Sequence, residues 1–127
     1  MGLFTYICSN VINSRQDEIN TIDANIEKYE QGIANAKKAC RYFEDANNGI
    51  VKLVEDLHLY FRGEAAAKFN TRLLRYGTEC KNRADDMNKL IKNYKNRIKD
   101  FENDRADLQN KINSYQEILN TLQWLHL

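Results

Sequence analysis

Three cysteines and two histidines have the widest chemical range of any side chains in this chain, and they stand at Cys8, Cys40, Cys80, His58 and His126. A metal centre needs ligands that converge, and a nucleophile needs a base within hydrogen-bond reach. No two of these five fall within a helical turn or a short loop of one another. The cysteines are odd in number and widely spaced, which suits reduced thiols rather than a disulfide framework. Asp85 with Asp86, and Asp104 with Asp107, lie among Lys and Arg at the three- and four-residue spacing of a solvated helical face, not as a paired-acid centre. The stretch KLIKNYKNRIKD gathers Lys89, Lys92, Lys95, Arg97 and Lys99 around Tyr94, which is the strongest nucleic-acid signal present. Its Leu90, Ile91, Tyr94 and Ile98 nevertheless keep a core period, and the acidic DFENDRAD follows at once. The basic residues then read as the outer face of a helix. No catalytic, metal or cofactor site and no nucleic-acid partner are expected, so the chain reads as non-enzymatic.

The elements that hold these residues follow from composition and period. The chain has 127 residues, a formal charge of +1, no proline and only five glycines, so little interrupts a long helix and charge selects no class of partner. All-α is the expected class, as a single domain over 1–127. An apolar fraction of 43% supports a folded protein, but a thin shape buries less surface per residue than a globule, so a partner is expected to complete the core. The opening MGLFTYICSN lacks a basic leader, a long apolar centre and a small-residue cleavage site, and Tyr6 stands where the myristoylation pattern needs Ser or Thr. The expectation is a cytoplasmic protein without a classical signal peptide or stable membrane insertion. LFTYIC would cap the open end near Tyr115 and Trp124.

Apolar residues recur at alternating steps of three and four from Ile12 through Ile19, Ile22, Ile26, Tyr29, Ile33, Ala36, Cys40 and Phe43, then Asn47, Ile50, Val54, Leu57 and Phe61, with Arg15 breaking the row. A mean step of about 3.5 over about seven heptads is a coiled-coil seam. Helix 1 is expected over about 10–61. A second row runs from Ala66 through Phe69, Leu73, Tyr76, Cys80 and Ala84 to Leu122, placing helix 2 over about 65–124. Two consecutive steps of four, from 76 to 80 to 84, read as a stutter. If the chain reverses near Gly63, facing positions have numbers summing to about 127, as in 19 with 108, 33 with 94 and 40 with 87. Large residues then face small ones, for example Phe61 with Ala66 and Ile91 with Ala36. The reading is a long antiparallel two-helix hairpin, each arm on the order of 75 to 90 Å. Gly63 supplies the left-handed conformation that a tight reversal needs. Gly32, Gly49 and Gly77 sit within helical pattern and read as tolerated there, at up to about 1 kcal/mol each.

The bend residues Leu57, Phe61, Gly63, Ala66 and Phe69 resemble the Trp-x-Gly (ESAT-like) proteins of bacterial type VII secretion, with Phe61 where that family has Trp. The arms, longer than in ordinary members, resemble most the small helical proteins encoded beside LXG toxins. The resemblance implies that an aromatic at position 61 plugs the space beneath the turn. It also implies a chaperone-like targeting factor that binds the helical N-terminal domain of an LXG-type toxin, alone or with a second small helical protein, and escorts it to the secretion machinery; whether the chain stays in the cytoplasm or leaves the cell with that partner is open at this point. The family's tail signal of Tyr or Phe followed four places on by an acid is absent after helix 2: Tyr115 is followed by Leu119 and Phe101 by Arg105.

Apart from any family, the tip has more apolar residues than one seam uses. Val51, Leu53, Leu59 and Tyr60 fall outside the first row and Leu74 outside the second, so these with Phe61 are the expected partner-binding surface. Asn47, expected opposite Cys80, either contacts a partner or loosens the coiled coil locally. Arg105, expected opposite Ile22, would snorkel or pair with an acid from outside the hairpin. Two other readings stay open: a homodimer forming a four-helix bundle, and an amphipathic tip, IVKLVEDLHLYF, that touches membranes.

Overall fold

The computed structural model describes residues 2–126 and consists of two helices, α1 (Gly2–Tyr60) and α2 (Glu64–His126), packed against each other as a helical hairpin. Residues 61–63 make the reversal. The Phe61 N–H donates to the Leu57 carbonyl at 2.8 Å, prolonging the bonding of α1 beyond its last helical residue. Gly63 then takes φ of 109°, a left-handed value that a Cβ would strain, and its carbonyl accepts from the Ala67 N–H at 3.0 Å to open α2. Glu64 places a carboxylate in the first turn of α2, where the helix dipole favours it. The expected bend is therefore present. Helix 1 begins at Gly2 rather than near residue 10, and helix 2 extends to His126.

The hairpin comprises two compact units, Met1–Glu30 with Lys95–Leu127, and Gln31–Tyr94. In the first, Ile19 is fully buried and clusters with Leu108 and Ile112, with Ile12 and Ile22 packed on them. Tyr29 and Phe101 meet with ring centroids 5.8 Å apart, and the Arg97 guanidinium lies 5.3 Å from the Phe101 centroid. Arg15 occupies its seam position half-buried, donating from Nη1 to Glu18 at 3.0 Å. In the second unit the buried residues are Ile33, Ala36, Cys40, Ala84 and Ile91, with Gly77 also buried. The Cys40 thiol lies 3.6 Å from both the Ala84 carbonyl and the Asn88 Oδ1, across the seam from it. Facing numbers in both units sum close to 127, as the sequence rows require.

The path of the seam on α2 departs from expectation between Ala66 and Ala84. Asn70 and Gly77 turn inward while Phe69 and Tyr76 are exposed. Written through 66, 70, 73, 77, 80 and 84, the row alternates four and three without interruption, so there is no stutter. Choosing the larger apolar residue at each step misplaced two positions. Gly77 is required because the helices approach closely there: a Cβ on it would come within 2.8 Å of Asn47 Oδ1 and 3.4 Å of Ile50 Cγ2. Gly32 has the same role, since its Cβ would stand 2.8 Å from the Tyr94 ring. Both are seats in the packing rather than merely tolerated residues.

The segment LFTYIC does not form a cap. It is the first part of α1, with Cys8 buried while Leu3, Phe4, Tyr6 and, on α2, Trp124 stay exposed.

Candidate functional site at the hairpin tip

The apolar residues assigned to the tip are on the surface. Tyr60 is 80% exposed and Phe61 60%, and Val51, Leu53, Leu59 and Leu74 are exposed as well. The physical reason lies in the heptad: positions 53 and 60 flank the seam on one side, 51 on the other, and 59 points away from it, so a second helix covers none of them fully. Phe61 does not plug the space beneath the turn. It follows the last residue of α1 and, with Leu57, Arg62, Ala65, Ala66, Phe69 and Asn70, lines an open concavity of about 390 Å³. Leu57 and Ala66 are half-buried at its floor, Phe61 and Phe69 stand exposed, and Gly63 shapes the turn beside it. The wall is therefore apolar with one cation, Arg62.

Asn70 adds a polar element that the sequence pattern had passed over. Its Oδ1 is buried yet accepts no hydrogen bond. A buried acceptor without a donor costs about 1–3 kcal/mol, and a donor brought in by a partner relieves it. The signal for it was the unbroken alternation of four and three through position 70.

Asn47 and Arg105 do not join the tip surface. Asn47 is half-buried in the seam against Gly77, one turn from its expected neighbour Cys80. Arg105 lies in the other unit and donates from Nε to Asp23 Oδ1 at 2.8 Å, so its acid comes from within the hairpin rather than from outside. The cause is a one-residue offset, since Asp23 flanks the seam beside Ile22 and can meet the guanidinium at its edge.

Other chemistry is sparse. Among the described residues no group of three or more His, Cys, Asp and Glu side chains converges, and no helix is long and apolar enough to cross a membrane. A shallow groove of about 490 Å³ in the first unit is lined by Glu18, Asp104, Asp107 and Lys111 among others, but it is open and these charged residues are all exposed. Cys40 is buried, and burial foremost, then the hydrogen bond and charge of Glu44, push its thiol pKa up, which keeps it protonated and a weak nucleophile. Comparison with protein-family models, with curated proteins and with solved structures gives no match for this chain.

Proposed function

We propose that the chain is a non-enzymatic adaptor whose tip takes up apolar side chains from a helical partner, the helical N-terminal domain of an LXG-type effector destined for type VII export. The observation that carries the reading is the tip concavity, where exposed Phe61 and Phe69 border an unsatisfied Asn70 Oδ1. Exposed aromatic and aliphatic residues around a polar acceptor fit the apolar face of an amphipathic helix carrying one hydrogen-bond donor. The bend residues Leu57, Phe61, Gly63, Ala66 and Phe69, through their resemblance to the Trp-x-Gly proteins, supply the choice of effector. The adaptor would bind in the cytoplasm, and the complex would present itself to the secretion machinery.

Co-expression with an LXG N-terminal segment tests this directly. A complex that survives size-exclusion chromatography is expected, and Leu59→Asp with Phe61→Asp should abolish it while circular dichroism stays helical. A chain that never co-elutes with such segments would sink the reading.

A further inference from the structure

The two flanks of the seam in Met1–Glu30 with Lys95–Leu127 are unlike each other. One carries amides that bond among themselves: Gln16 donates to Asn20 at 3.1 Å, and Gln109 to Asn113 and Gln116 to Asn120 at 3.0 Å each. Steps of seven along this flank reach Ser9 and Gln123, so it stays polar on both helices. The other flank holds the groove that Glu18 of α1 shares with Asp104 and Lys111 of α2. Both helices run unbroken, so steps of seven from Glu18 and Lys111 keep to this flank. They lead to Val11 and Phe4 on α1, and to Ile118 and Leu125 on α2. Phe4 is 64% exposed, Leu125 66% and Ile118 48%, and Val11 is half-buried. An apolar row on both helices of one flank, set against a polar and self-satisfied opposite flank, is a helix-packing surface.

Charge along the same flank selects what covers it. Facing positions here have numbers summing to about 129, so Phe4 shares a level with Leu125, Val11 with Ile118, Glu18 with Lys111, and Asn25 with Asp104. Two levels are apolar, and the third has an acid on one helix and a base on the other. Among the described residues Lys111 has no ion-pair partner, and Glu18 meets only Arg15. A two-fold axis running along the helices preserves every level and lays α1 of one copy on α2 of the other. Phe4 then meets Leu125, Val11 meets Ile118 and Glu18 meets Lys111, each twice, while the Asn25 amide faces Asp104. A two-fold axis across the helices reverses the levels, which sets the charged pair against an apolar pair or leaves it uncovered. A different protein would need its own cation and anion at this spacing, whereas a second copy already carries both.

We infer that this flank docks a second copy of the chain about a two-fold axis parallel to its two helices. Every contact lies in Met1–Glu30 with Lys95–Leu127, whereas the proposed partner site at the tip belongs to Gln31–Tyr94, so either can fail without the other.

Sedimentation equilibrium of the full chain is expected to give about twice the 14.9 kDa chain mass at micromolar concentration. Ile118→Asp, at a position exposed in the single chain, should keep the helical spectrum and give single-chain mass. Lys111→Glu sets Glu against the other copy's Glu18, and Glu18→Lys sets Lys against its Lys111, so each variant alone should associate about tenfold more weakly at low salt. Mixed in equal amounts, the two variants regain both opposite-charge contacts and should associate as the wild type does. Single-chain mass up to about 100 µM overturns the inference, for a standard interface holds at such concentrations, and it does so even if another protein is then captured on the flank. A dimer that Ile118→Asp leaves intact overturns it equally. So does a mixture that associates no better than either variant alone, because the copies would then pair in another direction or register.

Discussion

The two units of the hairpin bury different things. In Met1–Glu30 with Lys95–Leu127, the interior is aliphatic, centred on Ile19, Leu108 and Ile112. In Gln31–Tyr94 it is small, with Ala36, Cys40, Gly77 and Ala84 between Ile33 and Ile91, and the large side chains Tyr42, Tyr60, Phe69 and Tyr76 stand outside. Small seam residues let two backbones approach, which leaves less apolar bulk in the core and more of it on the flanks. The two units therefore differ in what fills the seam, aliphatic bulk in the first and small residues in the second, while both carry exposed apolar side chains, Leu3, Phe4 and Trp124 in the first and Tyr42, Tyr60 and Phe69 in the second. A mutation at a buried seam position should register mainly as lost stability, and one at an exposed flank position mainly as lost binding.

The largest effect that tests this contrast is truncation in the aliphatic core. Ile19→Ala should cost about 2–5 kcal/mol in urea unfolding, since a fully buried side chain leaves a cavity. Leu59→Asp should change stability by less than about 0.5 kcal/mol, because an exposed side chain loses no packing. Equal costs would break the contrast. A smaller effect sharpens it within the second unit. Gly32→Ala should destabilise by about 1–3 kcal/mol, because the new methyl displaces the Tyr94 ring from the seam and outweighs the gain in helix propensity. Gly49→Ala, with nothing nearby, should instead stabilise by about 0.5–1 kcal/mol in melts at high dilution. If both alanines behave alike, close approach at Gly32 is not what sets its identity.

The hairpin was legible because its determinants are local and periodic. Rows at steps of three and four fixed two helices, and one glycine between them, Gly63, had to take the left-handed turn that it does take. Facing numbers followed from the turn alone, and contacts such as Cys40 with Ala84 obey them. What failed was the choice between adjacent residues when the larger one was not the one inside. Phe69 and Tyr76 are more apolar than Asn70 and Gly77, yet the seam follows spacing, and the smaller residues satisfy it. Hydropathy ranks residues one at a time, whereas burial depends on the separation of two backbones, which Gly32 and Gly77 help to set. The Asp23 contact was missed for a related reason: a long Arg105 side chain reaches one position beyond its geometric opposite. At the tip, composition showed a surplus of apolar residues, but the unsatisfied Asn70 Oδ1 depends on which side chains actually turn inward.

The subtlest consequence of the small interior in the second unit concerns the thiol it admits. Cys40 is buried between the helices, its Sγ 3.4 Å from Glu44 Oε1, and burial first and the neighbouring carboxylate second raise its pKa above that of a free cysteine. In the unfolded chain the thiol titrates in its ordinary range, so between that range and the raised native value the folded state binds more protons. The stabilisation is fully present below the unfolded pKa and is lost as pH rises through the folded one. Wild type and Cys40→Ala, unfolded in urea under reducing conditions from pH 7 to 10, should therefore converge: any advantage of the wild type shrinks as the solution becomes alkaline, while tyrosines and lysines common to both cancel in the difference. An advantage that grows with pH would mean that the fold favours the thiolate, and the small-residue interior of Gln31–Tyr94 would then have to bring a cation or a hydrogen-bond donor to Cys40.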